Sequence, residues 1–400
     1  MTGTSEKIPI TKPVLGQRER ELLADPLNTG WLVQGPYVAR FEKMFAEFTG
    51  AAHALAVTSC TTGLHLILHA LGLKPGDEVI VPSFTYVATA NAVEYTGARP
   101  VFCDIDPATF NIDVNAAKDR IGPHTKAILA VSLFGLAADM PALKGLCDER
   151  GLFLLEDAAC ALGAKIHGRH TGAHALAAAY SLHPRKAVTT GEGGMVTTSD
   201  PALAELMAKL RNHGAEATDL ERHLKEGGSL LPAFNLLGFN YRLTDLQGAL
   251  GVAQMERLAE VLKARRAGAE AYLKLLAEVK TMRPPYVPAG YTHVFQSFVV
   301  LYTAGQETDL ANLGRLNKER NQLMAAMEKD GIQVRQGTHA VHTLGYYAQK
   351  YGYKAEDFPK SLLADRLSIT LPLFPGITQT QLERVVSYLR HPKRYITCAD

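Results

Sequence analysis

Between about residues 50 and 200, short runs that are apolar throughout alternate with stretches whose apolar residues recur at helical spacing. Strands read at His53–Thr58, Glu78–Val81, Arg99–Cys103, Lys126–Ser132, Leu152–Leu155 and Ala177–Ser181. Helices read at Thr61–Leu71, Tyr86–Tyr95 and Pro141–Arg150. A strand that is apolar on both faces has to be covered on both, and helices between the strands supply the cover. This pattern predicts an α/β protein with a mainly parallel sheet. In such sheets ligands sit beyond the carboxyl ends of the strands.

Further on, Leu243 to about Val279 reads as one long helical stretch bridging to a second unit. That unit, about 280–400, carries strand signals at Gln296–Tyr302 and Leu367–Leu371, with helices at Leu313–Asp330 and Gln379–Arg390. It reads as a smaller α+β fold. With 400 residues the chain has room for two domains. We place a large domain with an N-terminal arm at 1–255 and a small C-terminal domain at 256–400.

Composition narrows the function classes. Lys plus Arg (42) nearly balances Asp plus Glu (40), so no basic field invites nucleic acid. No stretch approaches the roughly 20 apolar residues of a membrane span, and the opening MTGTSEKIPITKPV has no signal-peptide core. The five cysteines are scattered without a CxxC, as expected of reduced thiols in a cytoplasmic protein.

Four segments carry candidate chemistry. In SLHPRKAVTTGEGGMV (Ser181–Val196), Lys186 follows a strand and precedes a glycine-rich turn, where its amine can meet a ligand at the sheet edge. Taken alone it reads as one more surface lysine. In LLEDAACALGA (Leu154–Ala164), Asp157 closes an apolar strand and is placed either to hold a pyridinium proton or to cap a following helix. In VTSCTTGLHLIL (Val57–Leu68), a strand turns through small hydroxyl residues into a helix whose first-turn N–H groups form an anion site. In VPSFTYVATANAV (Val81–Val93), Tyr86 is placed either to lie on an aromatic ligand ring or to pack in the core.

These segments, in this order, resemble the DegT/DnrJ/StrS family of sugar aminotransferases, fold type I of the pyridoxal-phosphate enzymes. The likeness extends through GWLVQGPYVARFE (Gly30–Glu42), GARPVFCDIDPATFNID (Gly97–Asp113), GFNYRLTDLQGALG (Gly238–Gly251) and LPLFPGITQTQLERVV (Leu371–Val386). The resemblance implies a seven-stranded sheet in a large cofactor-binding domain, pyridoxal 5′-phosphate as cofactor, and transfer of an amino group from glutamate or glutamine to a keto-sugar. By matched position, Lys186 is the Schiff-base lysine and proton carrier, Asp157 pairs with the pyridine nitrogen, and Tyr86 stacks on the ring. Cys60, Thr61 and Ser181 hold the phosphate, while Asn240 reaches the phosphate of a neighbouring subunit's cofactor, which requires a homodimer with shared active sites. Cys160 stands where many relatives carry Gln or His and is given no role; Leu182 stands for a common Phe.

For the substrate, Arg242 and Arg335 match a carboxylate or a sugar diphosphate bidentately, and His339 and His342 sit in a segment that the family's substrate often meets. Specificity is expected from loops at Ala215–Leu237 and Gln333–Tyr353. No metal site is expected: His65 and His69 are four apart but lack the glutamate of HExxH, and read as core or interface histidines. The GEGG glycines follow Lys186 and do not join a first strand to its helix, which disfavours a dinucleotide-binding dehydrogenase. Three alternatives remain: a keto-cyclitol or free-sugar aminotransferase, a sugar dehydratase, or a non-catalytic sensor. Lys186 argues against the dehydratase, whose lysine is replaced by histidine, and the Lys186–Asp157 pair argues against the sensor.

Overall fold

A computed structural model describes residues 6–224 and 231–396. Seven strands form the main sheet: β1 His53–Val57, β2 Glu78–Pro82, β3 Arg99–Cys103, β4 Thr125–Val131, β5 Phe153–Asp157, β6 Ala177–Ser181 and β7 Gly194–Thr198. Their spatial order is β1-β7-β6-β5-β4-β2-β3. The pairs β2–β3, β2–β4, β4–β5 and β5–β6 are parallel, whereas β7 runs antiparallel to both β1 and β6. Because β1 and β6 both oppose β7, they point the same way. The carboxyl ends of β1, β2, β5 and β6 therefore share one edge.

The expected α/β architecture is present, and the predicted strand ends lie within a few residues of those observed. β7 was not among the predicted strands. Its sequence GMVTT offers only two consecutive large apolar residues after a glycine-rich turn, yet all five positions are buried. Its buried threonines are tolerated in part because Thr198 Oγ1 donates to the Leu176 carbonyl at 2.7 Å.

The expected single helix over Leu243–Val279 is two helices, Asp245–Glu256 and Leu258–Leu276. Arg257 between them leaves helical dihedrals, at φ −108° and ψ 1°, and its guanidinium lies 3.3 Å from Glu19 of the N-terminal segment. A one-residue break hardly disturbs an apolar repeat, so the sequence pattern passes through it unmarked. The second sheet is antiparallel, with Phe298–Tyr302 between Met282–Arg283 and Ser368–Leu371. Leu310–Lys329 and Gln379–Arg390 cover it, burying Leu316, Leu323, Val385, Val386 and Leu389. Ile8 bridges Ile332, so the N-terminal segment also packs on this later part of the chain. Among the described residues, no helix is long and apolar enough to cross a membrane.

Candidate active site

The site is built on the shared strand edge. After β1, Ser59 caps the helix Cys60–Ala70 by accepting the Thr62 N–H at 3.1 Å. Thr62 Oγ1 accepts the Ser59 N–H in return at 3.0 Å. The N–H groups of Cys60 and Thr61, at the first two positions, have no intrahelical acceptor and so remain available to an anion. Gly194, at the start of β7, lets this turn approach: a Cβ there would lie 2.4 Å from the Ser59 carbonyl carbon and 2.6 Å from the Cys60 nitrogen.

Asp157 ends β5 and is 5% exposed. Thr89 Oγ1 donates to its Oδ2 at 2.7 Å, the Ala159 N–H to its Oδ1 at 3.1 Å, and the Cys60 thiol lies 3.9 Å from Oδ1. No helix follows Asp157, so it is not a helix cap. Burial pushes its carboxyl above the ordinary value, opposed by Thr89, Ala159 and Lys186. Its hydrogen-bonding partners, Thr89, Ala159 and Cys60, are all neutral, so the carboxylate retains capacity for a cation brought by a ligand. A pyridinium N–H meets that requirement, and the first-turn N–H groups meet that of a phosphate. The chemistry of this donor set fits pyridoxal phosphate.

Lys186 lies between β6 and β7. The Thr190 N–H donates to the Leu182 carbonyl at 3.0 Å and Thr189 Oγ1 to the same oxygen at 2.9 Å. The turn closes through Gly193, whose φ of 157° and 2.3 Å approach of a Cβ to Thr190 Oγ1 exclude a side chain. Lys186 Nζ donates to Cys160 Sγ at 3.2 Å, and both line a pocket with Ser181 and Gln296. Arg185, one residue earlier, lines a separate outer cleft, so the two adjacent cations diverge.

That outer cleft joins Tyr86, Arg185, Arg335, Gln336 and His339. Tyr86 is 65% exposed and precedes its helix, Ala88–Glu94, instead of opening it. His339 pairs with Thr85 in a two-stranded ribbon and its ring lies 4.0 Å from Asp365. His342 has to be withdrawn as a substrate contact. Its ring is fully buried; Nδ1 accepts from Ser83 Oγ at 2.5 Å and Nε2 donates to the Ala355 carbonyl at 2.9 Å. With both nitrogens used, it is a packing residue.

Arg242 and Asn240 line neither the inner pocket nor the outer cleft; Arg242 bridges Val57 at the end of β1, and Asn240 bridges Asn212. Arg242 donates to Asn212 Oδ1 at 2.8 Å. Asn240 is exposed between Phe239 and Tyr241, whose rings stack at 4.9 Å. His65 packs edge-on against both rings, and its Nδ1 is 2.9 Å from the Tyr241 hydroxyl. Burial lowers the His65 pKa to about 4, as suits a neutral packing histidine. Among the described residues no group of three His, Cys, Asp or Glu could hold a metal. Part of the expected specificity loop, 225–230, lies outside the described residues, as does Cys398.

Sequence reasoning missed Thr89 and Gln296. Thr89 belongs to the quoted VATANAV segment, but its bond to Asp157 spans 68 residues. Gln296 comes from the far end of the chain, and its amide donates to the Arg185 carbonyl at 3.1 Å.

Behind Asp157, Glu156 is fully buried. It accepts from the Ser132 hydroxyl and from Thr171 Oγ1, and burial raises its pKa to about 7. The folded state thus holds this proton above the ordinary carboxyl range. Its stabilising contribution is complete below about pH 4.5 and is lost as pH rises to about 7. Between pH 5 and pH 8, wild type should lose roughly 2–3 kcal/mol more unfolding free energy than Glu156→Gln. Urea denaturation at both pH values checks this, and parallel losses in the two proteins would refute it.

Residues 13–390 match the model of the DegT/DnrJ/EryC1/StrS aminotransferase family. The chain is 36% identical to GDP-perosamine synthase of Caulobacter vibrioides over 385 residues, covering 96% of this chain and 97% of the relative. It superposes on an aminotransferase TlmJ from Streptoalloteichus hindustanus with a TM-score of 0.86 at 31% identity, covering 97% and 99% of the two chains. It also superposes on DesI solved in the presence of its TDP-sugar product, with a TM-score of 0.84 at 30% identity over 98% and 94%. The chain belongs to the DegT/DnrJ/EryC1/StrS aminotransferases, a family of pyridoxal-phosphate-dependent sugar aminotransferases.

Proposed function

We propose that the enzyme moves an amino group from glutamate or glutamine to a nucleotide-linked keto-sugar, with Lys186 and Asp157 as the catalytic pair. The observation that carries this reading is the convergence on one strand edge of a pocket amine, a buried carboxylate and a first-turn anion site, beside a cleft bearing two exposed cations. When bound, pyridoxal phosphate supplies an aldehyde that condenses with amines and a ring that withdraws electrons.

The chain's own residues do the rest. Lys186 Nζ would hold the cofactor covalently, and its free amine would move the proton at the reacting carbon. Asp157 holds the proton on the ring nitrogen, which keeps the ring electron-poor. Cys60 and Thr61 bind the phosphate through main-chain N–H groups and Ser181 adds a hydroxyl. Tyr86 would lie against the ring and shield it from water. Arg335 and His339 meet the substrate, joined by Arg185. Two cations suit a diphosphate, and relatives named for GDP- and TDP-sugars support that class. Arg242 remains a candidate for the donor carboxylate. Exposed Asn240 reaches the phosphate of a second subunit, making the working unit a homodimer.

A panel assay tests the substrate class. Enzyme charged with L-glutamate loses the absorbance of its lysine-bound cofactor, and a nucleotide-linked keto-sugar should restore it. Recovery with keto-cyclitols or free keto-sugars alone would favour the second reading and remove the diphosphate from the site.

A further inference from the structure

We propose that Cys160 and Lys186 form a redox-controlled covalent pair, an S–N crosslink that removes the lysine amine from use when the protein meets a peroxide. Lys186 Nζ lies 3.2 Å from Cys160 Sγ, and both half-buried side chains line one pocket. Rotation about the lysine's four-carbon stem can close the remaining gap. The sulfur lies within reach of a small oxidant, and the amine lies within reach of the sulfur.

The chemistry balances with hydrogen peroxide as oxidant. Cys160 gives its proton to a base and its thiolate attacks the peroxide O–O bond. Sulfur is oxidised to a sulfenic acid, while the peroxide is reduced and leaves as water. The free Lys186 amine then attacks that sulfur. An S–N bond forms, the S–O bond breaks, and the hydroxyl leaves as a second water with a proton from the amine. A dithiol reductant reverses the link: its thiolate attacks sulfur, the amine leaves, and the resulting mixed disulfide resolves to free Cys160.

The other described cysteines are poorer targets. Burial, reinforced by Asp157, pushes the Cys60 thiol well above its ordinary range. Burial raises Cys147 to about 12 and pushes Cys103 up as well. A thiol held protonated oxidises slowly. Lys186 bonded to the cofactor has no amine to offer, so the crosslink is confined to forms in which that bond is open. The crosslink itself rests on the 3.2 Å contact, while its effect on cofactor loading rests on the role proposed for Lys186.

Full-length protein stripped of cofactor is treated with equimolar hydrogen peroxide and digested with trypsin. The expected product joins the Cys160 and Lys186 peptides, weighs about 2 Da less than their sum, resists cleavage after Lys186, and reverts with dithiothreitol. Peroxide should lower borohydride-trapped pyridoxyl label on Lys186 at least about tenfold in wild type and leave it unchanged in Cys160→Ala. A Cys60–Cys160 disulfide, or Cys160 oxidised to the sulfinic acid with Lys186 still cleavable, would overturn the proposal. If untreated protein carries its pyridoxyl label elsewhere yet the crosslink forms, the link stands and the assigned role of Lys186 fails.

Discussion

Replacing Lys186 with alanine should abolish transamination while leaving the fold intact. The Nζ group is the amine in the inner pocket beside Cys160, and Arg185 points into another cleft. Loss of the proposed covalent anchor and proton carrier should lower turnover by at least about 1,000-fold. The side chain is half-buried and donates one hydrogen bond, so the stability change should stay under about 1 kcal/mol. Two measurements suffice: borohydride labelling followed by peptide mapping, and thermal unfolding without cofactor. Full turnover by the alanine variant, or a wild-type label on another lysine, would defeat the assignment.

Replacing Asp157 should have the next largest effect. Asp157→Ala removes the carboxylate proposed to hold the ring nitrogen and leaves the Thr89 hydroxyl and Ala159 N–H without their acceptor. Turnover should fall by roughly 100- to 1,000-fold, the usual cost of one preorganised charge contact, and cofactor affinity should fall with it. Asp157→Asn separates charge from packing. Burial raises the pKa of this carboxyl, so its ionised form costs stability as pH rises. The asparagine variant without cofactor should therefore be at least as stable as wild type at pH 8, yet still lose activity. Wild-type kinetics in either variant would reduce Asp157 to a structural turn residue.

The legibility of this site varied with the sequence distance over which its contacts form. Strand-to-turn transitions are local, so Asp157 at the end of β5, Ser181 at the end of β6 and the capped turn at Ser59–Thr62 could be read from patterning and turn chemistry alone. Tyr86 was placed at the right edge but inside a helix that starts two residues later. His342 was expected to meet the substrate because the family's substrate often meets its segment, whereas burial against Ser83 and the Ala355 carbonyl consumes both ring nitrogens. Family likeness supplied what patterning could not: the cofactor, and the pairing of one lysine among many with one carboxylate.

By itself, the sequence determined the α/β layering, the strand edge that bears the site and the local turns that present Lys186 and Asp157. Each follows from periodicity, capping and apolar runs that act over a few residues. Only the tertiary structure decided that β7 enters antiparallel and aligns β1 with β6. It also set Thr89 against Asp157, Cys160 against Lys186, and Arg335 and His339 beside Tyr86. Thr89 and Asp157 are 68 positions apart and Cys160 and Lys186 are 26 apart, and their geometry is set by how whole layers pack.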